Sequence, residues 1–293
     1  MSALRPLLSG IVDYAGLFPP AALDMATAVR NYAEYRHDDA SWMLGRFVVP
    51  VARLDELLRE IRALELNSGD EWLIAALLGA DVEQDLAAID AFNQEMNGLA
   101  RVDTLEGKFT TPDAITRAAS LIGTHFALYV EVPVDPDPQP LVDAIASAGV
   151  NAKVRTGGVT PDAFPSAQNI VRFMRRCATA HVPFKATAGL HHPIRAEHRL
   201  TYATDAPSGV MYGYLNVFLA AALLSELTDA EAVALLEERD VSALEVSRDA
   251  IRWRDHELRA DQANAARERI ASSFGSCSFR EPVDDLRSLS LLP

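Results

Sequence analysis

Between residues 10 and 188 this chain alternates seven times between short apolar runs and segments with helical periodicity. The runs fall at 10–14, 46–50, 72–79, 100–109, 126–133, 152–156 and 184–188. A strand–helix repeat of roughly thirty residues points to βαβ units and a parallel sheet. The run 72–79 is apolar almost throughout, as expected of a parallel strand buried on both faces. Helices are expected over 22–36, 51–65, 81–96 and 162–181. In the second of these, Leu54, Leu57, Leu58 and Ile61 are spaced to form one buried face. Thr111-Pro112-Asp113 reads as a cap and first turn of another helix. No Gly-x-Gly-x-x-Gly follows the first run, so a nucleotide-binding open sheet loses its best support. The expectation is a closed (β/α)8 barrel, a TIM barrel, as a single domain over 1–293.

The stretch from about 190 to 272 departs from the repeat and reads as an insertion before the last strand. Residues 191–211 form a long polar segment, expected as a lid-like loop, and 214–227 an apolar helix. Thr228-Asp-Ala-Glu231 has the pattern of a capping box. Leu244-Glu-Val246 and Ala250-Ile-Arg-Trp253 read as a small hairpin. The eighth strand is placed at Ser273-Phe-Gly-Ser-Cys-Ser-Phe279, and Glu281-Pro282 starts the last helix.

A net charge of −14 argues against nucleic acid and anionic membranes as partners. The longest apolar run, 217–224, is too short to span a bilayer. Two cysteines supply neither a disulfide framework nor a zinc cluster. With no secretory pattern in 1–10, the expected location is the cytoplasm. A homo-oligomer is compatible with the sequence.

Of the 27 lysines and arginines only three are lysines, Lys108, Lys153 and Lys185, and all lie in apolar runs. A buried ammonium is costly unless paired, and its pKa shifts readily. Side chains alternate along a strand. Parity therefore places Glu106 with Lys108, Tyr129 with Glu131, Lys153 with Arg155, and Lys185 with Thr187. Each strand would turn its charged residues to the barrel interior and its apolar ones to the helices. A purely structural network of this kind must desolvate several ions at once. Crowded charges at strand ends point instead to a tuned catalytic site.

Two close lysines suit imine formation. The amine attacks a carbonyl only when neutral, and a nearby cation favours that state. Lys153 is read as the imine lysine and Lys185 as its cationic neighbour. Glu131 leads as proton carrier, with Glu106 as the other candidate. Lys108 is expected as the third interior lysine.

Three segments carry a family resemblance. Lys153-Val-Arg-Thr-Gly-Gly158 resembles the imine-lysine motif of deoxyribose-phosphate aldolases, which are class I aldolases. Phe184-Lys-Ala-Thr-Ala-Gly189 is similar to that family's next-strand motif, whose lysine adjusts the first. Ser273-Phe-Gly-Ser-Cys-Ser278 resembles its last-strand element, which helps hold phosphate. The order matches, and the match covers some twenty residues. The resemblance implies the same barrel and a carbon–carbon lyase acting on a small anionic carbonyl compound, with or without phosphate. Where the family has a glycine-rich turn after its second lysine, this chain has Leu190-His-His-Pro193.

Substrate contacts are expected from Arg155, Gly157, Gly158, Gly275, Ser276, His191, His192 and Asp13. Asp13 has an equal alternative within a rigid loop. Either histidine could join carboxylates about a metal, but three nearby lysines would repel a divalent cation, so neither metal nor cofactor is expected. Asn216 either reaches the mouth or caps its helix, and Cys277 is expected to pack. Two alternatives stay open: a metal-assisted hydrolase or lyase using His191 or His192 with carboxylates, and a non-catalytic barrel binding an anionic metabolite.

Overall fold

The computed structural model describes residues 2–64 and 71–292. Eight parallel strands close into a barrel. In chain order they are β1 (Val12–Tyr14), β2 (Leu44–Pro50), β3 (Trp72–Leu77), β4 (Ala100–Gly107), β5 (Ala127–Val132), β6 (Asn151–Arg155), β7 (Phe184–Thr187) and, after an insertion, β13 (Ala271–Ser276). β13 pairs with both β1 and β7, so the last strand closes the ring. The outer layer begins with α1 (Leu4–Leu8), α2 (Met25–Tyr35), α3 (Leu54–Ala63), α4 (Val82–Glu95), α5 (Pro112–Ile122), α6 (Gln139–Ala148) and α7 (Ala167–Thr179). The fold is the expected (β/α)8 barrel.

Local chemistry sets the helix starts. Asp24 accepts from the Thr27 backbone N–H at 2.7 Å, so α2 begins at Met25 rather than at 22. Thr111 caps α5 as expected. A single 3-10 turn precedes α3, whose buried face is Leu54, Leu57 and Ile61; residue 65 of the expected helix lies outside the described residues. The helix expected over 162–181 is shorter, because Pro165 breaks the chain and Ser166 caps α7 at Asn169 N–H.

The insertion differs most from expectation. The segment read as a loop contains an antiparallel hairpin, β8 (Ala196–Arg199) with β9 (Ser208–Met211). It is followed by α8 (Tyr214–Ala222) and α9 (Asp229–Leu236), the latter with the expected Thr228–Glu231 capping box. The small hairpin is present as β10 (Leu244–Val246) and β11 (Ala250–Trp253), and β12 (His256–Arg259) adds a third strand. Next, α10 (Ala260–Arg269) leads into β13. That strand starts two residues earlier than expected, and α11 (Arg280–Ser288) ends the fold. Among the described residues no helix is long and apolar enough to cross a membrane.

Candidate active site

In barrels of this class catalytic groups sit at the C-terminal ends of the strands, where loop variation leaves the scaffold intact. Register brings the predicted residues together there. Glu131 on β5 stands opposite Lys153 on β6, and Lys153 stands opposite Lys185 on β7. Glu106 on β4 pairs in register with Tyr129. These positions alternate with Leu128, Val130, Ala152, Val154, Phe184 and Ala186, which are buried.

Glu106 is the hub. Its Oε2 accepts from Lys153 Nζ at 2.7 Å and its Oε1 from Lys185 Nζ at 2.6 Å. Lys185 also donates to Asp13 Oδ2 at 2.6 Å, and Lys153 lies 3.1 Å from Glu131 Oε2. Asp13 is itself fixed: Oδ2 accepts from Ser273 Oγ at 2.7 Å and Oδ1 from the Arg46 backbone N–H at 2.8 Å. The Tyr129 ring lies 5.6 Å from Lys185 Nζ. Removing these ions from water is expensive, and the shared hydrogen bonds are what offset it.

Burial alone would push the Glu106 carboxyl up, yet the ammonium groups of Lys185 and Lys153 outweigh it and hold it down at about 2. Burial works against the charge of Lys185, and Asp13 and Glu106 outweigh that, so Lys185 is held above the ordinary lysine range. Both groups therefore stay ionised at neutral pH.

A cavity of about 290 Å³ opens above the cluster. Glu106, Glu131, Lys153 and Arg155 line it; Lys185 does not. Against known protein families and curated proteins, the chain matches none.

Several expected residues sit elsewhere. Lys108 is not in the interior: β4 ends at Gly107, and Lys108 is exposed beside a neighbouring hollow that also touches Glu131, Arg155 and Gly157. Asp13 is 1% exposed and lies beneath Lys185 rather than against the cavity. Gly158 and Gly275 line the cavity, whereas Gly157 lies behind it against Phe164 and Gly189. Ser276 is buried, with its Oγ 3.5 Å from His191 Nδ1.

The two histidines diverge. His191 lines the cavity and meets Glu281 Oε2 at 3.1 Å through Nδ1. Burial opposes its charge, but contacts with Cys277 and Glu281 outweigh that and raise it to about 9. His192 faces Asp285 at 2.5 Å and stacks on His198 with ring centroids 3.4 Å apart. Burial, followed by the His192 charge, lowers His198 to about 4. Among the described residues no group of three or more His, Cys, Asp or Glu could hold a metal ion. Asn216 is structural: Oδ1 accepts from Arg195 N–H at 2.9 Å, and Nδ2 donates to the Leu235 and Glu238 carbonyls.

Sequence reasoning missed Ser273, the support of Asp13, and the position of Glu281 facing His191. Neither had a readable signal: a serine in a strand and a glutamate in a first helical turn are common on structural grounds alone. Tyr129 stands on the interior face with Glu131, as parity predicts, and its ring lies beside Lys185.

Proposed function

We propose that the protein is an imine-forming carbon–carbon lyase of aldolase type acting on a small anionic carbonyl compound, as the motif resemblance to deoxyribose-phosphate aldolases implies. One observation carries the proposal: of the two buried, mutually coordinated lysines, only Lys153 borders the cavity. Lys153, once neutral, attacks the carbonyl carbon, and the carbinolamine loses water to give a protonated imine. That cation draws electrons from the adjacent carbon–carbon bond. The bond breaks as the β-hydroxyl proton departs, leaving an enamine and a released aldehyde. Protonation of the enamine carbon and attack of water on the imine then free the second product and Lys153.

Glu131 suits the proton transfers because it lies 3.1 Å from Lys153 and lines the cavity. Glu106 suits them poorly: fixed as an anion by two ammoniums, it orients both amines instead. Lys185 supplies a permanent positive charge in register with Lys153. Lys108 takes no part.

Borohydride reduction with a panel of aldehydes and ketones tests the proposal. The expected result is a stable mass adduct on Lys153, lost in Lys153→Met and kept in Lys108→Met. Ligand-induced stabilisation with neither adduct nor turnover would replace it with a binding role.

A further inference from the structure

The cavity has two unlike walls. On the side of β1, β2 and β3 it is lined by Phe18, Pro19, Pro20, Val48 and Leu77, which offer no charged or hydroxyl side chain. On the side of β5 and β6 it is lined by Glu131, Lys153 and Arg155. Arg155 is exposed at the mouth and makes no salt bridge among the described residues. A ligand that fills this space meets an apolar surface on one side and the Arg155 guanidinium on the other.

Phosphate in barrels of this class is usually held between the loops after the seventh and eighth strands, at a helix N-terminus. In this protein that place is already occupied. Glu281, in the first turn of α11, turns its carboxylate to His191 in the loop after β7. Burial opposes the charge on Glu281, and His191 outweighs it, holding the group below the usual glutamate range. Two backbone donors of the turn are used as well: Glu281 N–H bonds Ser278 Oγ at 3.2 Å, and Ser278 N–H bonds Ser276 Oγ at 3.3 Å. A phosphate brought to the start of α11 would meet a resident anion, and two of the backbone donors there are already engaged.

We infer that the ligand of Lys153 is an unphosphorylated carbonyl acid, with its carboxylate on Arg155, its apolar arm against the Phe18–Leu77 wall, and the helix start that would take a phosphate, that of α11, held by Glu281. For its carbonyl chemistry the inference rests on the imine mechanism proposed above. A guanidinium fork matches a carboxylate through two parallel hydrogen bonds.

Two measurements on the full chain decide it. In reductive trapping, 2-oxopentanoate should label Lys153 at least about tenfold faster than dihydroxyacetone phosphate, the range expected for one charged hydrogen-bonding partner. Arg155→Met should slow labelling by 2-oxopentanoate more than labelling by pentan-2-one. In calorimetry, the unreactive 2-hydroxypentanoate should bind more tightly than glycerol 3-phosphate, and Glu281→Gln should narrow that gap. Equal or faster labelling by the phosphorylated ketone, or equal or tighter binding of glycerol 3-phosphate, overturns the inference and leaves the imine mechanism standing. Preferential, Arg155-dependent binding of 2-hydroxypentanoate with no adduct from any carbonyl does the reverse. If neither acid nor phosphate binds, the inference is wrong.

Discussion

Lys153 and Lys185 occupy facing register positions on β6 and β7 and divide one carboxylate between them, Glu106, yet only Lys153 touches the cavity. The asymmetry assigns them different work. Lys185 is a fixed charge enclosed by Asp13 and Glu106, and Lys153 is the amine a ligand can reach.

Replacing Lys185 by Met removes the competing cation and leaves Glu106 free to hold the Lys153 ammonium alone. Less neutral amine is then present at a given pH, so the pH–rate profile for borohydride trapping should move to higher pH. Each unit of movement corresponds to about a tenfold loss of rate on the rising limb. Lys185→Arg should not restore the wild-type profile, because a planar guanidinium cannot reproduce two 2.6 Å contacts from one nitrogen. A profile that stays in place at full rate removes Lys185 from the chemistry.

Acid should undo the cluster in a defined window. The folded pKa of Glu106 is about 2, below its ordinary value of 4.5, so its contribution is present above about 4.5 and is lost as pH falls through about 2. A shift of that size is worth on the order of 3 kcal/mol. Urea midpoints between pH 5 and pH 2 should fall steeply in the wild type and less steeply in Glu106→Gln. That variant should also be less stable at pH 7, by about 3–5 kcal/mol, because two buried ammoniums lose a shared partner.

His191 carries the opposite sign. Its folded pKa, about 9, lies above its ordinary 6.5, so its stabilising effect is complete below 6.5 and disappears as pH rises through about 9. An NMR titration of the imidazole should give a midpoint near 9. In Glu281→Gln the midpoint should drop toward 6.5, and a midpoint unmoved by that change would show that Glu281 does not hold the charge.

Two glycines beside the site should differ in tolerance. A Cβ on Gly157 would lie 2.3 Å from the ring of Phe164, which can turn aside. A Cβ on Gly189 would lie 2.8 Å from the Gly157 Cα, on a backbone with φ of +75°. Gly157→Ala should cost about 1–3 kcal/mol by overpacking, and Gly189→Ala more, since strain and a backbone collision add. Chemical denaturation of the pair gives the order directly.

Much of this was readable beforehand for a physical reason. In a parallel barrel each strand is buried on both faces, so a lysine or glutamate among apolar residues stands out, and parity gives its direction. Glu106, Glu131, Lys153 and Lys185 were found that way. Parity does not reach Lys108, because the chain leaves the ladder after Gly107 and alternation has no meaning beyond it. The β8–β9 hairpin looks like a loop in the sequence because its strands are largely solvated and carry no apolar period. The sequence leaves Asp13 equally a substrate contact or part of a rigid loop, and its partner in the fold, Lys185, lies 172 positions along the chain. Pairings at that distance leave no local trace.

That last pairing has a consequence for how the molecule is made. Asp13 and Lys185 sit on β1 and β7, which are not neighbours; β13 lies between them and lends Ser273 to the same carboxylate. While the ribosome is still translating the insertion, both strands are on hand but their charges have no wedge to align them, and two strand edges remain open. The charged cluster therefore cannot mature progressively. It is assembled in one late event, when the eighth barrel strand emerges and slides into the gap. Substitutions that slow that arrival, such as those weakening the β1–β13 or β13–β7 ladder, should lower the yield of folded protein made in cells more than they lower the stability of the finished fold.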